Sequence, residues 1–209
     1  MICCDTPEVR LAPTAGGSNG AQDYQLLGNL RVPLGTHWPT IVAFAQGLDR
    51  IKQRSSVFDV AHGQHDDPDT AKNLGDAVAM GFTADNCSHH KAYADEFPLI
   101  FEPVFSEVNF VSPSGSILHQ KPGWFCPWHA DIFTFYARSR GIVDKRSITR
   151  HLVFLEDWSP GHYLLVGNSV VHAWEAGDVI TWPYGAYHLS ANAGFRPKLT
   201  LQITGQIRP

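Results

Sequence analysis

The sequence has few cysteines, no long apolar run and no dense group of basic residues, and each absence argues against a class of protein. Its 4 cysteines show no paired spacing, so we expect a reduced intracellular protein rather than a disulfide-stabilised one. The longest apolar runs are far too short to span a bilayer. The first residues also lack the basic and apolar regions of a signal peptide, and we therefore expect a cytoplasmic protein without a membrane partner.

Charge is scarce as well. Charged residues make up 17% of the chain, and the formal net charge is -4. Without a basic patch there is no electrostatic footprint for nucleic acid, which is therefore not an expected partner. A length of 209 residues with 44% hydrophobic residues fits one globular domain with a sizeable core.

Breaks in the residue pattern divide this domain into three parts. Residues 1–24, which contain the glycine-rich stretch 15–20, are predicted to form an extended lead-in. Residues 25–98 are predicted to form flanking helices and loops, and residues 99–206 a β core. Apolar residues recur at helical spacing after Pro39, and the less regular residues 56–98 are predicted to form two short helices separated by loops. The predicted helices span residues 39–53, 71–80 and 91–97.

From residue 99 onward, short segments rich in apolar and β-branched residues predict a mainly β structure. Gly167-Asn168 and Gly177-Asp178 are predicted to form tight hairpin turns. Eight or so strands that close on themselves give a jelly-roll-like double-stranded β-helix. The strands are predicted at residues 100–111, 115–120, 125–133, 149–156, 161–166, 169–174, 178–182, 186–190 and 198–205.

Two segments of this core carry the residues of a metal site. In the first, residues 123–131, His129 and Asp131 are two positions apart, so they point to the same face of a strand. The second, residues 177–192, contains His188. Two histidines and one carboxylate on one side of a metal form the facial arrangement of iron(II) oxygenases, which leaves the opposite positions open. The sequence thus predicts that these three residues bind a metal and carry the catalysis.

The second segment resembles the second cupin motif, Gly-x5-Pro-x-Gly-x2-His-x3-Asn. It matches that motif at Gly177, Pro183, Gly185, His188 and Asn192. The first segment resembles the opening of the first cupin motif, but an aspartate replaces the second histidine and no glutamate follows at the cupin spacing. This departure makes the chain similar to the iron(II)/2-oxoglutarate-dependent oxygenases, which share the double-stranded β-helix and carry His-x-Asp followed by a distal His.

The resemblance covers about residues 115–206 and implies an activity as well as a fold. It implies Fe(II) as the metal, 2-oxoglutarate as the cosubstrate and O2 as the oxidant. The expected reaction is hydroxylation of an unactivated C–H bond, with release of succinate and CO2.

The resemblance further implies a basic residue on the last core strand, which anchors the far carboxylate of 2-oxoglutarate. Residues 198–203 alternate between a polar and an apolar face, and Lys198 and Thr200 share the polar one. They are placed like the Arg-x-Ser pair of the family, so Lys198 is our preferred anchor. Arg196 is the second candidate, because arginine binds carboxylates in a bidentate manner, although it precedes Pro197 and lies nearer the loop.

Two residues of earlier strands complete the predicted cosubstrate site. Arg150 is a third candidate for the anchor, since related demethylase-like oxygenases draw their anchor from an earlier strand. Gln120 is predicted to flank the cosubstrate.

The motifs do not identify the substrate. Given an acidic chain without a basic groove, we expect a small molecule or an exposed amino-acid side chain. A prolyl side chain is one candidate, from the resemblance to small prolyl-hydroxylase-like members. The aromatic residues of 124–136 predict an aromatic-rich mouth, and the basic loop 136–146 is a candidate for covering the site or for meeting an acidic substrate.

Two other function classes remain open. One is a cupin metal enzyme that does not use 2-oxoglutarate, such as a direct dioxygenase or an isomerase, and Asp131 with the basic last strand counts against it. The other is a non-catalytic cupin that binds a ligand, against which the intact ligand set counts.

The remaining histidines and cysteines are given structural roles. His62 and His65 precede a polar, turn-rich run and are predicted to lie in a solvated loop. His89 and His90 are adjacent, so on a strand they face opposite ways and do not share a ligand. Cys126 is expected to be a small buried packing group near the metal.

Overall fold

A computed structural model describes residues 23–56, 58 and 68–208 of the chain. Most of the predicted lead-in, together with Cys3, Cys4, His62 and His65, lies outside the described residues. In the part that is described, no helix is long and apolar enough to cross a membrane.

The described part of the chain is mainly β, with eleven strands. They are β1 (Gln25–Asn29), β2 (Arg54–Ser56), β3 (Ser88–Tyr93), β4 (Phe110–Gln120), β5 (Phe125–Ala130), β6 (Ile148–Phe154), β7 (His162–Val166), β8 (Ser169–Val171), β9 (Asp178–Thr181), β10 (Tyr187–Asn192) and β11 (Lys198–Ile207).

Helices precede and interrupt this β core. They are α1 (Arg31–Leu34), α2 (His37–Gln46), α3 (Leu48–Ile51), α4 (Pro68–Ala79), α5 (Pro98–Glu107) and α6 (Thr134–Ser139), with a single 3-10 turn at Lys145–Ser147.

The strands form two antiparallel sheets that face each other. The larger sheet has seven strands in the order β1-β9-β6-β11-β4-β3-β2, and the smaller has four in the order β5-β10-β7-β8. From β4 to β11 the chain passes alternately between the two sheets, except that β7 and β8 form a hairpin within the smaller one. This winding is the double-stranded β-helix, and the predicted fold class is confirmed.

The two faces of the larger sheet have different partners. On β11, Leu199, Leu201 and Ile203 point outward and pack against helix residues such as Ile41 and Phe101. Full burial of one such aliphatic side chain contributes about 1.5–3 kcal/mol. Because this outer layer supplies much of the apolar core, the alternate positions of β11 are free to carry polar side chains into the barrel.

The flanking helices brace the outside of the barrel, as predicted. The helix expected over residues 39–53 is divided at Gly47, whose backbone N–H binds the carbonyls of Ala43 and Ala45 and ends α2. The helix predicted near 71–80 is confirmed as α4. The apolar stripe of α2, with Trp38 and Ile41, faces the larger sheet.

Two predictions in the region before the site were wrong. Residues 91–97 were predicted as a helix, but Ser88–Tyr93 forms β3, whose side chains alternate between buried and half-buried. Residues 100–111 were predicted as a strand, but Pro98–Glu107 is α5. Pro98 starts this helix, and Phe101 and Val104 are one turn apart on its buried face. A short apolar run with aromatic residues fits either structure locally.

The two predicted turns have different outcomes. Gly167-Asn168 joins β7 to β8, where Val166 pairs with Ser169, and this hairpin is confirmed. Gly177 has a positive φ of 97° and turns the chain into β9, but β9 belongs to the other sheet. The second turn is therefore a crossover between sheets and not a hairpin.

Candidate metal centre and cosubstrate pocket

The two strands that carry the predicted ligands lie side by side in the smaller sheet. His129 of β5 pairs directly with His188 of β10, and their ring centroids are 4.3 Å apart. Asp131 follows the last residue of β5 and returns to the side of His129. The ligating atoms of the three residues all lie within 4.8 Å of one another, so the group could hold a metal ion.

Backbone carbonyls orient both imidazole rings. Nδ1 of His129 is 2.7 Å from the carbonyl of Pro127, and Nδ1 of His188 is 3.1 Å from that of Ala186. A carbonyl only accepts, so each Nδ1 carries the proton and each Nε2 presents its lone pair when the ring is neutral. This is the arrangement by which metal-binding histidines are held in one tautomer.

Asp131 has one oxygen engaged and one free. Nη1 of Arg150 donates a hydrogen bond to Oδ1 over 2.5 Å. The other oxygen, Oδ2, is buried without a hydrogen-bond partner and lies 3.7 Å from Nε2 of His188. A buried carboxylate oxygen left unpaired beside two Nε2 lone pairs is the donor set of a divalent metal ion, and the residues fit such an ion.

The charges of the site favour metal ligation. Burial raises the pKa of Asp131, but Arg150 and the two imidazoles lower it by more. The pKa is therefore below its usual value, and the carboxylate stays ionised. Burial and the neighbouring His129 lower the pKa of His188 to about 3, so this ring is neutral at physiological pH. Ligation requires this pair of states, an ionised carboxylate and a neutral imidazole.

The pKa of His129 is shifted in the opposite direction from that of His188. Burial opposes its charge, but Cys126, whose Sγ is 3.8 Å from Nδ1, together with Asp131 raises the pKa of His129 to about 9. A proton on this ring competes with a metal ion. Cys126 is therefore in contact with a candidate ligand.

Lys198 lies deeper in the barrel than the metal centre. Its Nζ donates to the carbonyl of Tyr163 over 2.5 Å and to Oγ of Ser190 over 2.8 Å. Ser190 in turn donates to Oε1 of Gln120 over 3.0 Å. Because Ser190 and His188 are two residues apart on β10, they face the same side about 6.6 Å apart along the strand. The ammonium of Lys198 thus binds a residue of β10 that is two positions from the candidate ligand His188.

The ammonium of Lys198 is buried without a carboxylate. It is 2% exposed, and no acidic side chain of the described residues pairs with it. Burial lowers the pKa of Lys198 to about 7. Thr200 follows two positions along β11 on the same inner face and is also buried. An unpaired buried cation favours the binding of an anion.

The other two anchor candidates lie elsewhere. Arg196 is exposed and lies in the loop before β11, where it lines an outer groove with Trp158 and Pro197. The structure therefore does not bring Arg196 to the site, because the strand begins only after Pro197. Arg150 is at the mouth, where it binds Asp131 and Nε donates to Oγ1 of Thr204 over 3.3 Å.

The mouth is a narrow opening beside the metal centre. Aromatic and turn residues surround Arg150 there, and its guanidinium lies 5.0 Å from the ring centroid of Phe133. The lining residues are Asp131, Phe133, Ile148, Arg150, Trp182, Pro183, Tyr184 and Gly185. Of the aromatic residues predicted to form the mouth, Phe133 lines it, and the other two rings come from Trp182 and Tyr184, which were not part of that prediction.

Lys91 and Ser190 were also not singled out. Lys91 belongs to β3, and pairing with Leu118 places it on the inner side of the larger sheet. It was not recognised because residues 91–97 were predicted as a helix. The alternation of Ser88–Tyr93 was the available indication.

No protein-family model matches the chain, and no curated protein matches it. Its fold is similar to solved structures of cupin and double-stranded β-helix proteins. A prolyl-4-hydroxylase from Pseudomonas putida is 15% identical, with 90% of this chain and 94% of that chain covered and a TM-score of 0.48. A Cupin 2 conserved barrel domain protein from Salinispora arenicola is 14% identical, with 61% and 83% covered and a TM-score of 0.35. A predicted oxalate decarboxylase from Thermotoga maritima is 12% identical, with 57% and 82% covered and a TM-score of 0.37. At such identities the likeness concerns the fold alone.

Proposed function

We propose that this protein is an iron(II)- and 2-oxoglutarate-dependent dioxygenase that hydroxylates an unactivated C–H bond of a small molecule or an amino-acid side chain. The reaction would release succinate and CO2. One observation carries the proposal: a His-Asp-His group with an unpaired carboxylate oxygen shares the barrel interior with an unpaired buried ammonium, that of Lys198.

His129, Asp131 and His188 would hold the iron on one side. The carbonyls of Pro127 and Ala186 hold the two rings, so that both Nε2 atoms would be available to it. Iron(II) supplies the reaction with dioxygen and the attack on a C–H bond, chemistry that no side chain provides. The part of the protein is to hold the reacting groups in position and to exclude water.

Lys198 would bind the far carboxylate of 2-oxoglutarate. Two of its three donors are bound to Tyr163 and Ser190, which leaves one N–H for the ligand. The Ser190–Gln120 hydrogen bond holds the acceptor that positions this ammonium. Thr200, next on the same face, would add a hydroxyl to the same carboxylate. A charge-assisted contact of this kind contributes about 1.5–3 kcal/mol.

An anaerobic titration tests the proposal directly. We expect a weak visible absorption band that needs both iron(II) and 2-oxoglutarate, and slow succinate formation once oxygen is admitted. His129→Ala should abolish both. Lys198→Met should keep iron binding but raise the 2-oxoglutarate requirement at least about tenfold. Lys72→Met, at an exposed lysine of α4, is the matched control.

The opposite results have clear meanings. A band that forms with iron alone and ignores 2-oxoglutarate would favour a cupin metal enzyme without this cosubstrate. Succinate formation that persists in His129→Ala would mean that the activity comes from another source.

A further inference from the structure

Lys91 points from β3 toward the metal centre. The register of β3 against β4 pairs Lys91 with Leu118, which in turn pairs with Thr200 of β11 on the inner face. The charge of Lys91 interacts there with Arg150 and Asp131. This lysine therefore belongs to the wall of the same chamber, although its strand lies outside the eight strands of the barrel.

The ammonium of Lys91 has no ionic partner among the described residues. Its Nζ makes no hydrogen bond or ion pair with them and lies 5.0 Å from the ring centroid of Tyr93. A cation over an aromatic face is held in one place without losing its charge. Burial and the neighbouring Arg150 lower the pKa of Lys91 to about 8, as expected for a cation that lacks an anion.

The charges of the chamber do not balance. Three cationic side chains, Lys91, Arg150 and Lys198, share the interior with Asp131, the one carboxylate that the described residues place there. Arg150 is paired with Asp131. A proton shared between Cys126 and His129 leaves the sum unchanged. A divalent ion and the 2-oxoglutarate dianion also cancel each other, so an excess of positive charge remains.

We propose that the substrate of this protein carries a carboxylate, and that the ammonium of Lys91 binds it beside the metal centre. A carboxylate fits better than a phosphate, because one ammonium balances the single negative charge of a carboxylate, whereas a phosphate carries about two charges and three acceptor oxygens. That the bound molecule is hydroxylated rests on the proposed function, whereas the binding of a carboxylate to Lys91 does not. Lys91 then decides which molecules are hydroxylated, while Lys198 serves the cosubstrate.

The binding test uses the full chain loaded with manganese(II) and 2-oxoglutarate, which does not turn over. The probes are free L-amino acids, their carboxamides, and blocked acidic peptides with their Asn or Gln counterparts. At least one carboxylate probe should raise the thermal midpoint and its neutral counterpart should not. Whether a free acid or an acidic peptide does so identifies the source of the carboxylate. Lys91→Met should lose the shift, Lys91→Arg should retain it, and Lys72→Met is the control.

The turnover test uses iron(II), 2-oxoglutarate and oxygen. The carboxylate probe should accelerate succinate formation, and Lys91→Met should raise its KM about tenfold or more. The KM for 2-oxoglutarate should change far less in Lys91→Met than in Lys198→Met. The inference is overturned if no carboxylate binds, if the neutral counterparts bind equally, or if Lys91→Met raises the 2-oxoglutarate requirement as much as Lys198→Met. Lys91-dependent binding without any succinate formation would retain the anion site and reject the proposed reaction.

Discussion

Arg150 donates a hydrogen bond from Nη1 to Oδ1 of Asp131, and Oδ2 of the same carboxylate is buried without a partner. The arginine thus neutralises the aspartate without using the oxygen that faces His188. In this way a buried carboxylate is kept ionised and available to a metal ion.

The first prediction concerns this pair. In Arg150→Met, metal-free Asp131 loses the one cation that is hydrogen-bonded to it, so the free energy of unfolding should fall by about 3–5 kcal/mol. With manganese(II) bound, the ion replaces the lost charge and the loss should be less than half as large. Urea unfolding with and without the ion measures both values, with the exposed Arg138→Met as the control. Equal losses in the two states would contradict the prediction.

The contribution of Asp131 to the stability of the protein depends on pH. The pKa of Asp131 is lower in the folded protein than in the unfolded chain, because the charges around it outweigh burial. Its contribution to stability is therefore present above the unfolded pKa and is lost as pH falls through the folded one. Without Arg150 the folded pKa rises, so acid unfolding of Arg150→Met should begin at a higher pH.

The second prediction concerns the candidate ligands. At 100 times its Kd, a bound ion stabilises the folded protein by about 2.7 kcal/mol. His129→Ala and His188→Ala should each lose this increment, because each removes an Nε2 donor from the group. Metal content after dialysis and the thermal midpoint with manganese(II) measure the loss. The exposed His172→Ala should behave like the unmodified protein. Full metal binding by either of the first two variants would reject the ligand set.

The third prediction follows from the buried Lys198. Its pKa is about 7 in the folded protein, below the 10.5 of an exposed lysine. Between these pH values the unfolded chain holds a proton that the folded protein lacks, so the free energy of unfolding should rise with pH. Lys198 adds at most about 1.4 kcal/mol per pH unit to this slope, and Lys198→Met should lose that share, whereas the shares of Lys91 and His129 should stay in both proteins. Unfolding titrations without cosubstrate from pH 6.5 to 9.5 measure it.

Binding of 2-oxoglutarate should show the opposite trend. The anchor binds a carboxylate only as an ammonium, so affinity should weaken as pH rises above about 7. An affinity that is constant across this window in the unmodified protein would speak against Lys198 as the anchor.

The fourth prediction concerns the loop that leads to β11. Gly161 has a φ of 93°, and a Cβ there would lie 2.3 Å from the backbone nitrogen of Gly194. Gly161→Ala should therefore cost about 3 kcal/mol or more, from the clash and the positive φ together. Gly141 has a φ of 65° in open space, so Gly141→Ala should cost only about 1 kcal/mol. Similar losses, measured by thermal unfolding, would show that the loops are not packed as described.

Some residues of the site were predictable because their information is local. His129, Asp131 and His188 stand in motifs whose spacing matters, and strand alternation gives each side chain its face. The same alternation placed Lys198 and Thr200 on the polar face of the last strand, and both lie inside the barrel. Their roles as ligands and anchor remain predictions.

The positions of other residues depend on contacts between distant parts of the chain. Arg196 shares the parity of Lys198, but the strand begins only after Pro197, and the side chain is exposed. Arg150 was a candidate for the cosubstrate, and only the approach of β6 to the end of β5 gives it Asp131 as a partner.

The mainly β class, the alternation of the core strands and the three candidate ligands follow from local patterns, because period-two alternation and turn residues act over a few positions. Contacts between distant segments were needed to show that 88–93 is a strand, that α5 precedes the barrel and that Lys91 lies on the inner side of the larger sheet. A short apolar or mixed segment satisfies either a helix or a strand locally, and pairing with β4 supplies the hydrogen bonds that make β3 the stable choice.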